Sequence, residues 1–344
     1  VLAKIENLWQ QGSLLKTAFD EYNICIKAVF EEARTILQSP PRTPPEFEVR
    51  LDEIPDEFYT LRKNLFSTLF QSVYHLLNIH KDRRLLYGKL NHLFRVWVTS
   101  ADNLLDNEDK IVVPMKIAGS SRVMRQVISV MLADRILKNI ADQAVRDKTI
   151  TDDEATLLTH KSLQILLPSA AEEASEENGI THRPDAEYVL NTIHRLKTGL
   201  LFHIPFLGPD TIELDIDRNK LALCKEGLMS FGLGCQILDD IRDISKDHLE
   251  SRHNYILSMM YANHPLDVAV LHAIEPDIDG SSNIFELFPD VVYPAADRAL
   301  NLLTGGLSSL GAAGLGVSSS IARHLSMGMF HVLGVGGLTT CLSA

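Results

Sequence analysis

The stretch Gly234-Cys235-Gln236-Ile237-Leu238-Asp239-Asp240-Ile241-Arg242-Asp243-Ile244-Ser245-Lys246-Asp247 restricts this chain more than any other. Ile237, Leu238, Ile241 and Ile244 recur at three and four residues, the spacing of an amphipathic helix. On one continuous helix Asp239, Asp243 and Asp247 stand at i, i+4 and i+8, so three carboxylates rise in a column that borders the core. Like charges stacked that way repel, and a cation is wanted beside them.

The rest of the chain reads as helices. Apolar residues recur at three and four from Leu2 to Leu37, from Phe58 to Ile79 and from Arg83 to Asp106. The same spacing continues through Val123–Val145, Asp152–Glu173, Tyr188–His203 and, after the acidic column, Arg252–Tyr261. Prolines 40, 41, 44 and 45 end the first run in a loop to about Pro55. Between His264 and Ala296 four more prolines predict short helices joined by loops. From Ala299 to Ala322 there is no charge, but a leucine stripe among glycines and serines predicts a closely packed helix in preference to a membrane span. No convincing strand, Gly-rich phosphate loop or nucleophile elbow appears.

Charge and cysteine usage exclude some functions. A formal charge of −12 with no basic stripe argues against a nucleic-acid partner. Four cysteines (Cys25, Cys224, Cys235 and Cys341) lack zinc-like spacing and read as reduced thiols of a cytoplasmic protein. The chain opens on Val1-Leu2-Ala3-Lys4 without a signal-peptide layout, so secretion is not expected.

A second acidic pair, Asp102 and Asp106, also falls at i and i+4, at the end of the third helical run. Two carboxylate pairs expected on facing helices suit Mg²⁺, which takes oxygen ligands from a few carboxylates and from substrate phosphates. Lys197 is flanked by Leu196, Leu200 and Leu201, where an ammonium is costly unless an anion meets it. Lys197 with Arg122, Lys246 or Arg252, and also Arg62 or Lys63, could complete the positive surround of a diphosphate. Methionine at 197 is expected to leave folding intact. Metal and cations together would neutralise a departing pyrophosphate, and an apolar helical interior would protect the carbocation left behind.

These motifs resemble those of the trans-isoprenyl diphosphate synthases and class I terpene synthases. Asp102-Asn103-Leu104-Leu105-Asp106 is similar to their first Asp-rich motif, Lys197-Thr198-Gly199 to their Lys-Thr motif, and Gln236 through Asp243 to their second Asp-rich motif, in the same order. The resemblance covers about Phe58 to Tyr261. It implies an all-α isoprenoid synthase type I bundle around a deep central cavity, with residues 1–344 as a single domain. Within it, 1–57 would be an N-terminal helix and Pro-rich loop, 58–261 the catalytic core and 262–344 C-terminal helices.

The resemblance also implies roles. Asp102, Asp106, Asp239, Asp243 and Asp247 would bind metal, as Mg²⁺ at about three ions per diphosphate. Lys197 would contact the diphosphate, with Thr198 and Gln236 facing the reacting end of the substrate. Phe94, Trp97 and Val98, one or two turns before Asp102, would line the pocket wall. The partner is then a prenyl diphosphate, and a homodimer is admitted. Three departures bear on the reaction: Asn103 replaces an Asp, no paired arginines follow the first motif, and the Gly-Gly-Lys-Arg segment for isopentenyl diphosphate is reduced to Leu61-Arg62-Lys63-Asn64. The expected function is accordingly a Mg²⁺-dependent terpenoid synthase that ionises an allylic prenyl diphosphate and cyclises or rearranges the cation. The rival is a chain-elongating prenyltransferase, and a non-catalytic partner subunit is a third reading.

Overall fold

The computed structural model describes residues 14–38, 40, 42–275 and 283–342. The periodic runs fold as helices α1 (Leu14–Ile36), α2 (Leu61–Leu76), α3 (Lys81–Leu105), α4 (Arg122–Arg146), α5 (Asp152–Gln164) and α6 (Leu167–Glu176). They continue as α7 (residues 186–201), α8 (Leu207–Thr211), α9 (Arg218–Arg242), α10 (Ile244–Leu249), α11 (Tyr255–Asn263), α12 (Pro265–Ala273), α13 (Pro289–Leu310) and α14 (Ser319–Val332). The part of the first expected helix before Leu14 lies outside the described residues. Among those residues the only strand pairing is Arg50–Leu51 with Met115–Lys116, antiparallel.

Four expected spans differ from the sequence reading, three by breaking and one by running on. The run Asp152–Glu173 divides because Pro168, without an N–H, opens α6 in its first turn. The uncharged segment Ala299–Ala322 is not one helix: α13 ends at Leu310, a π turn covers Gly311–Leu315, and Gly314 and Gly316 turn the chain at φ 112° and 75°. Conversely, Pro289 and Pro294 lie inside α13, where Pro289 takes the first-turn position that tolerates it. The acidic column is the fourth. It bends at Asp243, whose ψ of 14° separates α9 from α10, although the bonds Asp243 N–H to Asp239 O and Asp247 N–H to Asp243 O keep helical spacing at 2.9 and 2.8 Å. Neighbouring side chains do not face each other on a regular helix, and the bend accompanies a two-pronged contact from Arg242 to Asp243.

Contacts divide the chain into two compact units. One comprises Gly12–Leu163 and Ile204–Ile216. In it α1 lays a fully buried face of Ala18, Tyr22, Cys25, Ile26, Val29 and Phe30 against α2 and α3. Tyr22 Oη and His92 Nδ1 lie 3.0 Å apart in that core, and burial, with the Arg95 charge second, pushes the His92 imidazole down to about 3.

The other unit comprises the described residues of Gln164–His203 and Asp217–Ala344. Its centre is α9 packed along α13. A Cβ on Gly227 would lie 2.9 Å from the carbonyl oxygen of Gly306, and one on Gly306 would lie 2.5 Å from that of Gly227. The two backbones therefore touch there, which is what the small residues of the uncharged segment permit. Among the described residues α9 alone is long and apolar enough to cross a membrane, and 67% of its most apolar window is buried against protein.

Candidate active site

In the first unit α3 carries the first acidic pair. Asp102 lies in its last turn and Asp106 caps its C-terminus, both half-buried, with the Asp106 N–H bonded to Asp102 O at 2.8 Å. Asn103 between them is buried: its amide donates to Lys110 O at 2.8 Å and accepts from Lys110 N–H at 3.0 Å. A carboxylate could accept there but not donate, so asparagine at this position ties down the following loop. Arg122 grips the same loop through Asn107, at 3.0 Å to its carbonyl and 2.6 Å to its side chain, and Arg125 pairs with Asp109 at 2.8 Å. The helix preceding the pair holds the three expected wall residues, with Phe94 fully buried, Trp97 and Val98 half-buried, and the Phe94 and Trp97 rings 6.5 Å apart. Arg62 and Lys63 are exposed at the start of α2, and Lys63 is held by Glu57 at 3.2 Å and over the Phe58 ring.

The second unit joins two of the sequence motifs. α7 is wound as π turns over Val189–Ile193 and Arg195–Gly199, a form of helix that recurs at functional sites. It presents Thr198 to α9, where the hydroxyl donates to Gln236 Oε1. The Gln236 amide in turn donates to Asp240 Oδ1 at 2.8 Å. Asp240 is buried, with its other oxygen meeting His194 Nε2 at 2.6 Å and the Tyr255 N–H at 2.6 Å. Half-buried Thr198 and Gln236 thus form one relay with buried Asp240 and His194, and it fixes how Gln236 is turned.

The outer acids of the motif behave differently. Arg242 sits between Asp239 at 2.5 Å and Asp243 at 2.6 Å; burial works against its charge, but the two carboxylates outweigh it and hold the guanidinium well above its ordinary value. Asp247 accepts from the Asn254 amide at 2.8 Å, and burial followed by the Asp240 charge pushes its carboxyl upward. Each pair, Asp102 with Asp106 in the first unit and Asp239 with Asp243 in the second, offers oxygen donors only, which suits Mg²⁺, and Arg242 is the side chain a metal at Asp239 and Asp243 would replace. Asp247, whose environment favours the protonated form, fits that role less well.

Lys197 is half-buried and its ammonium meets an acidic nest. Its ammonium is 3.0 Å from Glu173 and 3.8 Å from Glu176. Burial works to lower its pKa, and the charges of Glu176, Glu173 and Glu172 override that and hold it well above the ordinary value. Arg252 lies 3.9 Å from Glu176 and 3.6 Å from Glu250, and Lys246 is half-buried in α10. His253 Nδ1 meets Glu176 at 2.6 Å and Glu172 at 3.6 Å, and although burial opposes its charge, those carboxylates raise the imidazole to about 9. Sequence reasoning missed this nest and the His194–Asp240 pair. The i, i+4 spacing of Glu172 and Glu176 was the available signal for the first, and the position of Asp240 between Ile237 and Ile244 on the core face for the second.

No family model and no curated protein matches the sequence. Solved structures do match its fold over nearly its whole length. A geranylgeranyl pyrophosphate synthetase from the archaeon Geoglobus acetivorans aligns with TM-score 0.56 and 16% identity, covering 94% of this chain and 99% of that one. A geranyltransferase from Legionella pneumophila aligns with TM-score 0.54 and 13% identity, covering 94% and 98%. Another geranylgeranyl pyrophosphate synthase aligns with TM-score 0.54 and 10% identity, covering 97% and 98%. The chain has the all-α fold of the isoprenyl diphosphate synthases.

Proposed function

We propose that this protein is a Mg²⁺-dependent prenyltransferase that ionises an allylic prenyl diphosphate and condenses it with isopentenyl diphosphate. The observation that carries the reading is the contact of Thr198 with Gln236 on this fold: two motifs 38 residues apart, which the sequence alone paired only by resemblance, meet through a hydrogen bond. Three solved structures with the same fold are described as prenyl-chain synthases or transferases, which favours elongation over the cyclisation expected from sequence.

Each residue then has a physical task. Asp102 with Asp106, and Asp239 with Asp243, hold Mg²⁺, which when bound supplies positive charge against the departing pyrophosphate. Lys197 adds a fixed ammonium beside a terminal oxygen of the diphosphate, exchanging its contact with Glu173 for the stronger anion. Thr198 and Gln236 turn their oxygens towards the developing cation, and the bond from Gln236 to Asp240 keeps the amide oxygen, not its NH₂, on the Thr198 side. The apolar wall keeps water from the cation.

Cyclisation or rearrangement remains a second reading because of one observation: Lys63, the nearest counterpart of an acceptor-binding lysine, is engaged by Glu57 and Phe58. Product analysis separates the two. Geranyl, farnesyl and geranylgeranyl diphosphates are each incubated with the protein and Mg²⁺, with and without isopentenyl diphosphate. Elongation predicts a longer diphosphate only when isopentenyl diphosphate is present. A hydrocarbon or alcohol formed without it selects the second reading, and pyrophosphate release from none of the three substrates overturns both.

A further inference from the structure

Glu172, Glu176 and His253 bring one carboxylate oxygen each and a ring nitrogen within 4.8 Å of one another. Two elements make this arrangement. Glu172 and Glu176 are one turn apart on α6, so they share a face. His253 comes from the loop before α11, which is clamped by Ile180 N–H to Ser251 O at 2.7 Å and by Arg183 to Arg252 O at 2.8 Å. Asn254 then caps α11 through the Leu257 N–H at 2.9 Å, fixing where His253 must emerge.

The hydrogen bonds in the nest leave one carboxylate without a partner, and His253 Nδ1 stands 3.6 Å from it. Glu173 has Lys197 at 3.0 Å, and Glu176 has His253 at 2.6 Å, with Lys197 and Arg252 further off at 3.8 and 3.9 Å. Glu172 is 7% exposed, yet neither of its carboxylate oxygens makes a hydrogen bond; nor does Glu176 Oε2. A bare carboxylate in that place is costly. A divalent ion between Glu172, Glu176 and His253 would give those bare oxygens a partner.

We infer that Glu172, Glu176 and His253 form a binding site for one divalent transition-metal ion of the zinc class, separate from the aspartate motifs. The imidazole nitrogen selects zinc or cobalt over Mg²⁺, which prefers an all-oxygen shell. Tetrahedral ligands on such an ion lie about 3.3 Å apart, so the three side chains close inward by about an ångström. The site does not depend on the proposed substrate.

The test uses the full-length protein, stripped with a chelator and titrated with Co²⁺ and Zn²⁺. One Co²⁺ per chain should bind with the visible absorption of a low-coordinate nitrogen and oxygen site, and Zn²⁺ should displace it and raise the thermal midpoint. E172Q and H253N should each weaken this binding at least tenfold, whereas D239N with D243N should leave it intact. Unchanged Co²⁺ affinity in E172Q and H253N overturns the inference, as does loss of the ion in the aspartate variant alone. Should either variant fail to fold, X-ray absorption of the wild-type Co²⁺ protein decides: a first shell without an imidazole overturns it.

Discussion

Replacing Lys197 with methionine tests whether its ammonium holds the acidic nest together. Apolar neighbours in the sequence predict that a methionine is tolerated; the structure reverses that expectation. At an effective dielectric of about 20, unit charges 3.0 and 3.8 Å apart interact by roughly 5.5 and 4.4 kcal/mol before desolvation is subtracted. Removing one partner of a buried pair typically costs about 3–5 kcal/mol, because the other charge remains. The Lys197 side chain is 27% exposed and Glu173 20%, which argues for the lower end, about 3 kcal/mol. For a unit of this size that lowers the thermal midpoint by about 6–12 °C.

Two further measurements identify the cause. Adding E173Q to K197M should recover about 1–2 kcal/mol, since the double variant removes a carboxylate that has lost its partner. The pH dependence has a definite sign. The Glu172 carboxyl, which burial already raises to about 7, rises further without Lys197, and a raised carboxyl gives stability below its unfolded pKa that is lost as pH rises through its folded pKa. The deficit of K197M should therefore be greatest at about pH 8 and shrink towards about pH 4.5. Differential scanning calorimetry across that range checks both. A midpoint within about 2 °C of wild type, or a deficit independent of pH, would refute the electrostatic account of the nest.

Asp102→Ala and Asp239→Ala should each lower turnover by orders of magnitude while circular dichroism shows the helices retained; near-wild-type turnover in either removes that acid pair from the proposed site. The buried His92 predicts acid sensitivity: its folded pKa of about 3 against an ordinary 6.5 means stability lost as pH falls from 6.5, about 2 kcal/mol by pH 5 and about 4 by pH 3. Urea midpoints of wild type and H92Q over that range should converge as pH falls, and parallel curves would exclude His92 as the source. Phe94→Ala should cost about 3–5 kcal/mol, because that ring is fully buried, whereas Trp97→Ala, half-buried, should cost less and change product length. An unchanged product profile from both would remove them from the pocket wall.

Helix positions were legible because the core is built from apolar stripes, and a stripe is a local property of the chain. What periodicity could not show was where a stripe pauses without losing its spacing. Asp243 interrupts neither the isoleucine pattern nor the i, i+4 backbone bonds, and the bend there goes with Arg242 turning its guanidinium onto its own neighbour. The same limit applies to charge. Six acids in the site region look alike as letters, yet Asp239 and Asp243 share an arginine, Asp240 is consumed by His194 and Tyr255, Asp247 takes an amide, Glu176 takes an imidazole, and Glu172 takes no hydrogen bond. Those differences come from residues seven or more positions away or from one helical turn of packing, and no spacing rule encodes them. On the proposed function, the relay from Thr198 through Gln236 to Asp240 carries the consequence. The middle acid of the motif is the most buried of its aspartates and orients the glutamine, so a mutation there would impair chemistry through geometry, while its outer neighbours would impair it through charge.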